Sequence, residues 1–381
     1  MFNRLYIHIP FCLEKCGYCA FISSKPQNDE LEHYHQLLLK EMHLVSADSE
    51  SGRSLDSIYL GGGTPSLLHP QQVTEIIGQA EKLFSLSPEV EITLEANPGT
   101  VDEDRLRSFR AYGVNRLSLG VQTFDDTLLR CLGRVHDAGQ ARRAFQDARR
   151  AGFDNIGIDL IHALPGQTLS QWQADLQEAV RLSPEHISVY GLSVEEGTPF
   201  SIRYPEDSPD IPDDDRSAEM FEAADTVLPA VGFQHYEIAN YAKPGFRSRH
   251  NSGYWRRDGY LGLGVAAHSL LRKGYGYRFS NQDTLEEYSR ELAAGHLPRR
   301  DEHLLTREDA MAEFMFLGLR LAEGVAHESF EREFDSTLHT VYGAVIDELI
   351  RIGLLQQEQS VLRLTRRGLQ LSNQVFARFL P

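Results

Sequence analysis

The sequence predicts an α/β protein: a partial (β/α)6 barrel, then a smaller α+β region, then a helical, winged-helix-like C-terminal domain. Three observations lead there. From residue 1 to about 200, short apolar runs alternate with amphipathic stretches, the mark of βαβ units on a parallel sheet. A stretch rich in proline and acid, Tyr204 to Asp215, then breaks the rhythm and reads as a surface connection. From Thr306 onward the pattern is helical and ends in two short apolar runs and a last helix.

The apolar runs of the first part are Leu5–Ile9, Ser57–Leu60, Glu91–Glu95, Arg116–Leu119, Ile156–Leu160 and Ile187–Tyr190. Helices are expected near 33–46, 70–84, 102–112, 137–151 and 169–182. Pro70 and Asp102 suit first-turn positions, and Gly113 and Gly152 follow helices as C-terminal caps. Six strands are too few for an eight-stranded closed barrel, so the barrel should stay open, with function gathered where strands end and loops begin. Further on, 216–232 reads as one amphipathic helix and 233–298 as glycine- and tyrosine-rich short strands and turns. Helices are expected at 306–322, 327–334, 337–352 and 366–379, with the runs Leu354-Leu355 and Val361–Leu364 between the last two. The domain boundaries predicted are 1–200, 201–298 and 299–381.

At 381 residues the chain is long enough for two or three domains. No apolar run reaches membrane-spanning length, and the N-terminus enters a strand directly rather than a secretory leader. Net charge is −17, from 55 acidic and 38 basic residues. That argues against a polyanionic partner, because phosphate binding needs a basic face. Arg366 and Arg367 form only a small basic pair, so a packing or lid role is expected there rather than nucleic-acid binding.

The chemistry is concentrated in Cys12-x3-Cys16-x2-Cys19, just behind the first strand. Three thiolates on one loop can hold three corners of a [4Fe–4S] cluster and leave the fourth iron open, whereas electron-transfer clusters normally use four cysteines. Structural zinc wants four ligands, and the only other cysteine, Cys131, sits far away in an apolar helical pattern. Four cysteines in a chain this long are no disulfide framework. Free thiols and an oxygen-sensitive cluster both fit a reducing cytoplasm.

Other strand ends carry polar or glycine-rich punctuation. The second strand runs into Gly61-Gly62-Gly63-Thr64-Pro65, which lets backbone approach a ligand closely, or simply makes a sharp turn. Glu95 ends the third strand, where a carboxylate can accept from a hydroxyl or an ammonium, or cap the next turn. Gln122 and Asp159 occupy equivalent rim positions, and Arg134 offers a bidentate fork to a carboxylate.

The stretch from Tyr6 through Cys12, Cys16 and Cys19 resembles the radical S-adenosylmethionine superfamily. With the other strand ends and the C-terminal domain, the resemblance narrows to the oxygen-independent coproporphyrinogen III oxidase-like branch and covers almost the whole chain. It implies that Cys12, Cys16 and Cys19 ligate the cluster. It also implies that Tyr6, Gly62, Gly63, Thr64, Glu95, Gln122, Arg134 and Asp159 contact S-adenosylmethionine, with Tyr18 packing against its adenine. One departure concerns activity. The oxidases of the branch carry a fourth cysteine two residues after the third, where this chain has Phe21. A second feature, His250-Asn251-Ser252-Gly253-Tyr254-Trp255, resembles the heme chaperone subfamily, as does the Gly262-to-His268 segment after it.

Imidazole is a good axial ligand to heme iron, and Trp255 offers a flat apolar face. A cluster of histidine and aromatic residues is also a common hydrogen-bonded turn, and His268 competes with His250. The resemblance implies a cytoplasmic protein that binds heme and passes it to acceptor hemoproteins, membrane-bound respiratory enzymes among them. A homodimer is left open. The rival is an enzyme that decarboxylates the propionates of coproporphyrinogen III to vinyl groups.

Overall fold

The structure, a computed structural model, describes residues 1–48, 54–205 and 208–380. Glu206 and Asp207 of the acidic connection lie outside the described residues. The first part contains strands β1 (Arg4–Ile9), β2 (Leu55–Gly62), β3 (Leu86–Ala96), β4 (Arg116–Gln122), β5 (Ile156–His162) and β6 (His186–Gly191). These pair in parallel and in chain order. Helices α1 (Glu30–Asp48), α2 (Pro70–Phe84), α3 (Glu103–Ala111), α4 (Asp126–Leu132), α5 (Ala138–Arg150) and α6 (Leu169–Leu182) make the connections.

The strands are buried on both faces, which is why they read as apolar runs rather than as alternation. All seven residues of β4 are buried. The helices pack amphipathic faces on the sheet, and α3, α4, α5 and α6 begin at side-chain caps. Asp102 lies one step outside α3 and accepts from Arg105 N at 2.8 Å, a cap rather than a first-turn residue. Trp172 of α6 is fully buried and its indole donates to Met220 O at 2.7 Å. That bond fixes α8 (Asp214–Ala230), which follows the short α7 (Pro199–Arg203).

Residues 233–298 form the short strands and turns expected of them, and the structure adds where those strands go. They extend the first sheet at both edges. Strands β7 (Gln234–Glu237) and β8 (Asn240–Ala242) join antiparallel beyond β6. After α9 (Arg249–Trp255), strand β9 (Tyr260–Leu263) pairs in parallel with β1, from Arg4↔Tyr260 to Ile7↔Leu263. Strands β10 (His268–Leu271), β11 (Tyr277–Asn281) and β12 (Arg299–Leu304) continue antiparallel, with α10 (Leu285–Ala293) between the last two. Among the described residues this gives one open sheet of twelve strands. Gly262 is required where β9 meets β10, because a Cβ there would stand 2.2 Å from the His268 carbonyl oxygen.

The C-terminal part has its own core. Helices α11 (Arg307–Gly318), α12 (His327–Phe334) and α13 (Leu338–Arg351) surround a three-stranded sheet of β13 (Val325–Ala326), β15 (Val361–Leu364) and β14 (Leu355–Glu358), in that order. The last helix expected from the sequence is broken at Leu371 into α14 (Arg366–Gln370) and α15 (Ser372–Ala377). A buried ion network ties this unit to the long sheet. Arg257, only 1% exposed, reaches Glu313 of α11 at 3.2 Å and Glu333 of α12 at 2.8 Å, and Arg278 of β11 meets Glu313 at 2.6 Å. Arg366 lies within 3.4 Å of Asp225, so the small basic pair seen in the sequence is partly neutralised. Among the described residues no helix is long and apolar enough to cross a membrane.

The sheet extension is fastened to α1 by buried polar groups. Tyr34 donates to His8 O at 2.7 Å and accepts from Val265 N at 3.0 Å. Glu41 accepts from Gly264 N at 2.8 Å, Asn281 Nδ2 at 2.6 Å and Tyr288 OH at 2.6 Å. Burial pushes the Glu41 carboxyl up from its ordinary 4.5 to about 7, against the pull of those donors. Glu41→Ala should cost roughly 3 kcal/mol in urea denaturation, because it strands three buried donors. The raised pKa makes the carboxyl's contribution full below its unfolded value and lost as pH rises through about 7. Denaturation midpoints should therefore show wild type losing stability relative to Glu41→Gln between pH ~5 and ~8; parallel pH profiles would contradict this.

Candidate functional site

The cysteine loop leaves β1 at the C-terminal rim of the parallel sheet. Ile9 is in register with Gly62, so β1 and β2 end at the same level. The loop is then held by backbone bonds: Gly63 N to Ile9 O at 2.8 Å, Thr64 N to Phe11 O at 2.7 Å and Cys12 N to Ser24 O at 2.9 Å. Its far side is pinned by Gly17, whose N–H donates to Leu132 O at 3.2 Å and whose carbonyl accepts from Phe200 N at 2.9 Å. Gly63 has to be glycine: a Cβ would stand 2.6 Å from Phe11 O and 2.8 Å from Ile9 O.

Beneath this loop lies a cavity of about 670 Å³. Cys12, Cys16 and Cys19 all face it as free thiols. Thr64 Oγ1 donates toward Cys12 Sγ at 3.5 Å, and Arg134 Nη1 toward Cys16 Sγ at 3.5 Å. Burial pushes the Cys19 thiol up. Among the described residues no three His, Cys, Asp or Glu side chains converge on a single metal ion. Of the remaining rim residues expected from the sequence, Tyr18, Gly62, Gly63, Thr64, Glu95, Gln122, Arg134 and Asp159 all line this cavity.

Each is set by its strand end. Glu95 Oε1 accepts from Tyr59 OH at 2.6 Å and Oε2 from Gly62 N at 3.1 Å. Burial, more than the neighbouring Asp159, lifts the Glu95 carboxyl to about 7. Burial raises the Asp159 carboxyl too, and Ser118 Oγ lies 3.4 Å from each of its oxygens. Gln122 closes β4 with φ at +69°, a left-handed conformation that costs a non-glycine residue of order 1–3 kcal/mol. Arg134 donates to Gly120 O at 2.8 Å and to Asn97 Oδ1, while its Nε is buried without a partner. Tyr18 packs edge-on to Phe200 with centroids 6.1 Å apart.

Asn97 and Ser193 also line the cavity and were not singled out in the sequence. Asn97 sits just past Glu95 in an Asn-Pro turn, the one local signal that marks it. Tyr6 is not part of this wall. Its side chain lies on the far side of the cysteine loop, with its hydroxyl 3.1 Å from His8 Nδ1, and it lines a second cavity of about 580 Å³.

That second cavity also takes Tyr254, Trp255 and His268, whereas His250 and Asn251 are not on its wall. His250 is fully buried. Its Nδ1 lies 2.8 Å from Ser57 Oγ, its Nε2 2.7 Å from Tyr254 OH, and its backbone N–H donates to Glu91 Oε1 at 3.0 Å. Both ring nitrogens are thus committed inside the core, and burial pushes the imidazole far toward its neutral form. The physical reason is the short helix α9, whose Ser248 cap turns the His250 side of the helix into β2 and the Trp255 end outward. Ala20 and Phe21 line both cavities, so the segment after Cys19 is the partition between them.

Comparison with known proteins fits this geometry. Residues 6–179 match the Radical SAM superfamily and residues 305–371 match the HemN C-terminal domain. "Heme chaperone HemW" of Lactococcus lactis is 36% identical over 99% of this chain and 97% of its own. The Escherichia coli protein of the same name is 35% identical over 99% and 97%. The mouse mitochondrial "Radical S-adenosyl methionine domain-containing protein 1" is 35% identical over 99% and 87%. The solved structure of E. coli coproporphyrinogen III oxidase (HemN), a radical SAM enzyme, superimposes with a TM-score of 0.86 at 24% identity, over 99% of this chain and 90% of that one. This degree of full-length likeness places the chain in the heme chaperone HemW family of the radical SAM superfamily.

Proposed function

We propose that this chain is a cytoplasmic heme carrier that passes heme to acceptor hemoproteins, respiratory ones among them, and that it bears a [4Fe–4S] cluster with S-adenosylmethionine beside it. The observation that carries the cofactor half is the placement of three free thiols on one wall of a cavity whose other wall is the polar rim of the sheet. The donor set suits a cluster: three thiols on one loop can each take a different iron. The Thr64 hydroxyl and the Arg134 guanidinium donate toward two of the sulfurs and orient them at the cavity wall.

On this reading Cys12, Cys16 and Cys19 hold the cluster, and Glu95, Gln122, Arg134 and Asp159 hold S-adenosylmethionine. Tyr59 and Gly62 fix the Glu95 carboxyl, whose pKa near 7 leaves it able to give up its proton when a cation binds against it. Tyr18 supplies an aromatic face at the cavity wall. When bound, S-adenosylmethionine supplies radical chemistry through reductive cleavage at the open iron. In a carrier the same pair can instead serve to govern heme loading.

The heme half rests on full-length similarity to proteins named heme chaperones. Phe21 supports it. This ring is 65% exposed and stands where the oxidases of the branch have their fourth cysteine, on the partition between the two cavities. The competing reading, coproporphyrinogen III decarboxylation, draws on the shared fold with the oxidase.

Anaerobic reconstitution followed by hemin titration and coproporphyrinogen turnover on one sample separates the two. The carrier reading expects saturable, stoichiometric hemin binding and no vinyl product; decarboxylation without hemin binding would overturn it. Phe21→Cys should still yield no vinyl product in that assay. Gly63→Ala, which drives a methyl group into the Phe11 and Ile9 carbonyls, should lower iron and sulfide per chain at least twofold while circular dichroism stays unchanged. Full cluster content in that variant would mean the loop is not held as described.

A further inference from the structure

We propose that the second cavity is the heme seat and that His268, not His250, supplies the imidazole to the heme iron. This rests on the heme-carrier reading and goes beyond it by naming the site and the ligand. The cavity, about 580 Å³, falls within the ~300–1,000 Å³ usual for cofactor-sized ligands. Its walls are the ones a flat macrocycle needs: Phe21, Tyr254, Trp255 and Tyr260, with Leu270 and Leu317 adding aliphatic surface.

Of the imidazoles at or beside the cavity, His268 alone is uncommitted among the described residues. His8 lines the cavity too, but its Nδ1 lies 3.1 Å from Tyr6 OH and its Nε2 3.1 Å from the Ile22 carbonyl. His250 is walled off behind Tyr254 with both nitrogens engaged. His268 is exposed at the start of β10 and lines the cavity, and among the described residues its ring makes no hydrogen bond or ion pair. Neutral imidazole with a free ring nitrogen is the form that ligates iron.

Two polar features suit the rest of the ligand. Arg278 reaches the wall with Nε on Glu313 and Nη1 3.4 Å from Tyr260 OH, leaving Nη2 to meet a propionate. Asp283, the one acid on the wall, is paired with Arg300 and so repels a propionate less. Trp255 carries a buried indole N–H with no acceptor, and its ring is covered on one side by Arg320, centred 4.2 Å away. The His-Asn-x-x-Tyr-Trp string then acts through its last two residues, which wall the seat. Its histidine is a positioning residue that holds the Tyr254 hydroxyl.

The test is hemin titration of the full-length chain, followed by absorption and electron paramagnetic resonance, in wild type, His268→Ala and His296→Ala. His296 is an exposed histidine that does not line the cavity and controls for surface adsorption. The proposal expects His268→Ala to weaken hemin binding at least tenfold and to change the iron spectrum, with added imidazole restoring it. His296→Ala should match wild type. An unchanged spectrum and affinity in His268→Ala, or an equal loss in His296→Ala, would overturn the assignment while leaving the carrier reading standing. Failure of wild type itself to bind hemin saturably would sink both.

Discussion

The structure depends on one constraint, the level at which β1 and β2 end together. Their parallel register brings Ile9 opposite Gly62. From that point the chain on one side becomes the cysteine loop and on the other the glycine turn, and the two are joined by hydrogen bonds from Gly63 N to Ile9 O and from Thr64 N to Phe11 O. A Cβ at Gly63 would collide with the Phe11 and Ile9 carbonyls, so the close approach of the two segments needs glycine there. A shift of one residue in this register would turn the loop to the other face. The polar groups on neighbouring strand ends would then have nothing to face.

Much of the first part was legible because its strands are buried on both sides. Continuous apolar runs mark such strands whatever their partners. The structure extends several of them past the expected ends, to Gly62, Gln122 and His162, because glycine and polar residues interrupt the apolar run there although the backbone pairing continues. Glu95 and Asp159 could be found for the same reason, each a carboxylate interrupting an apolar strand near its C-terminal end. Asn97 was missed because a side chain that orients an arginine leaves no periodic trace.

Periodicity could not reveal the path of residues 233–298. Their strands are only three to five residues long, and β9 finds its partner β1 across more than 250 positions of chain. Burial also reassigns residues that look alike in sequence. Tyr6 is a strand residue like those of the rim, yet it points into the second cavity with His8. His250 looks like the natural ligand of its motif, yet Ser57, Tyr254 and Glu91 hold it in the core. Residue type suggests the chemistry, and only the surrounding contacts decide which nitrogen is free to do it.

The two cavities share a single partition, the Ala20-Phe21 segment directly after Cys19. On the proposed reading, with the cluster on one side of this segment and heme on the other, a shift of the cysteine loop would reach the second cavity directly. The most direct test of the account is heme transfer: the cluster-loaded, heme-loaded chain is mixed with an apo respiratory hemoprotein and the acceptor's heme spectrum is followed. The account predicts that the acceptor fills faster, and more completely, than with free hemin at equal concentration, while the carrier empties. An acceptor that stays apo, or fills no better than with free hemin, would contradict it.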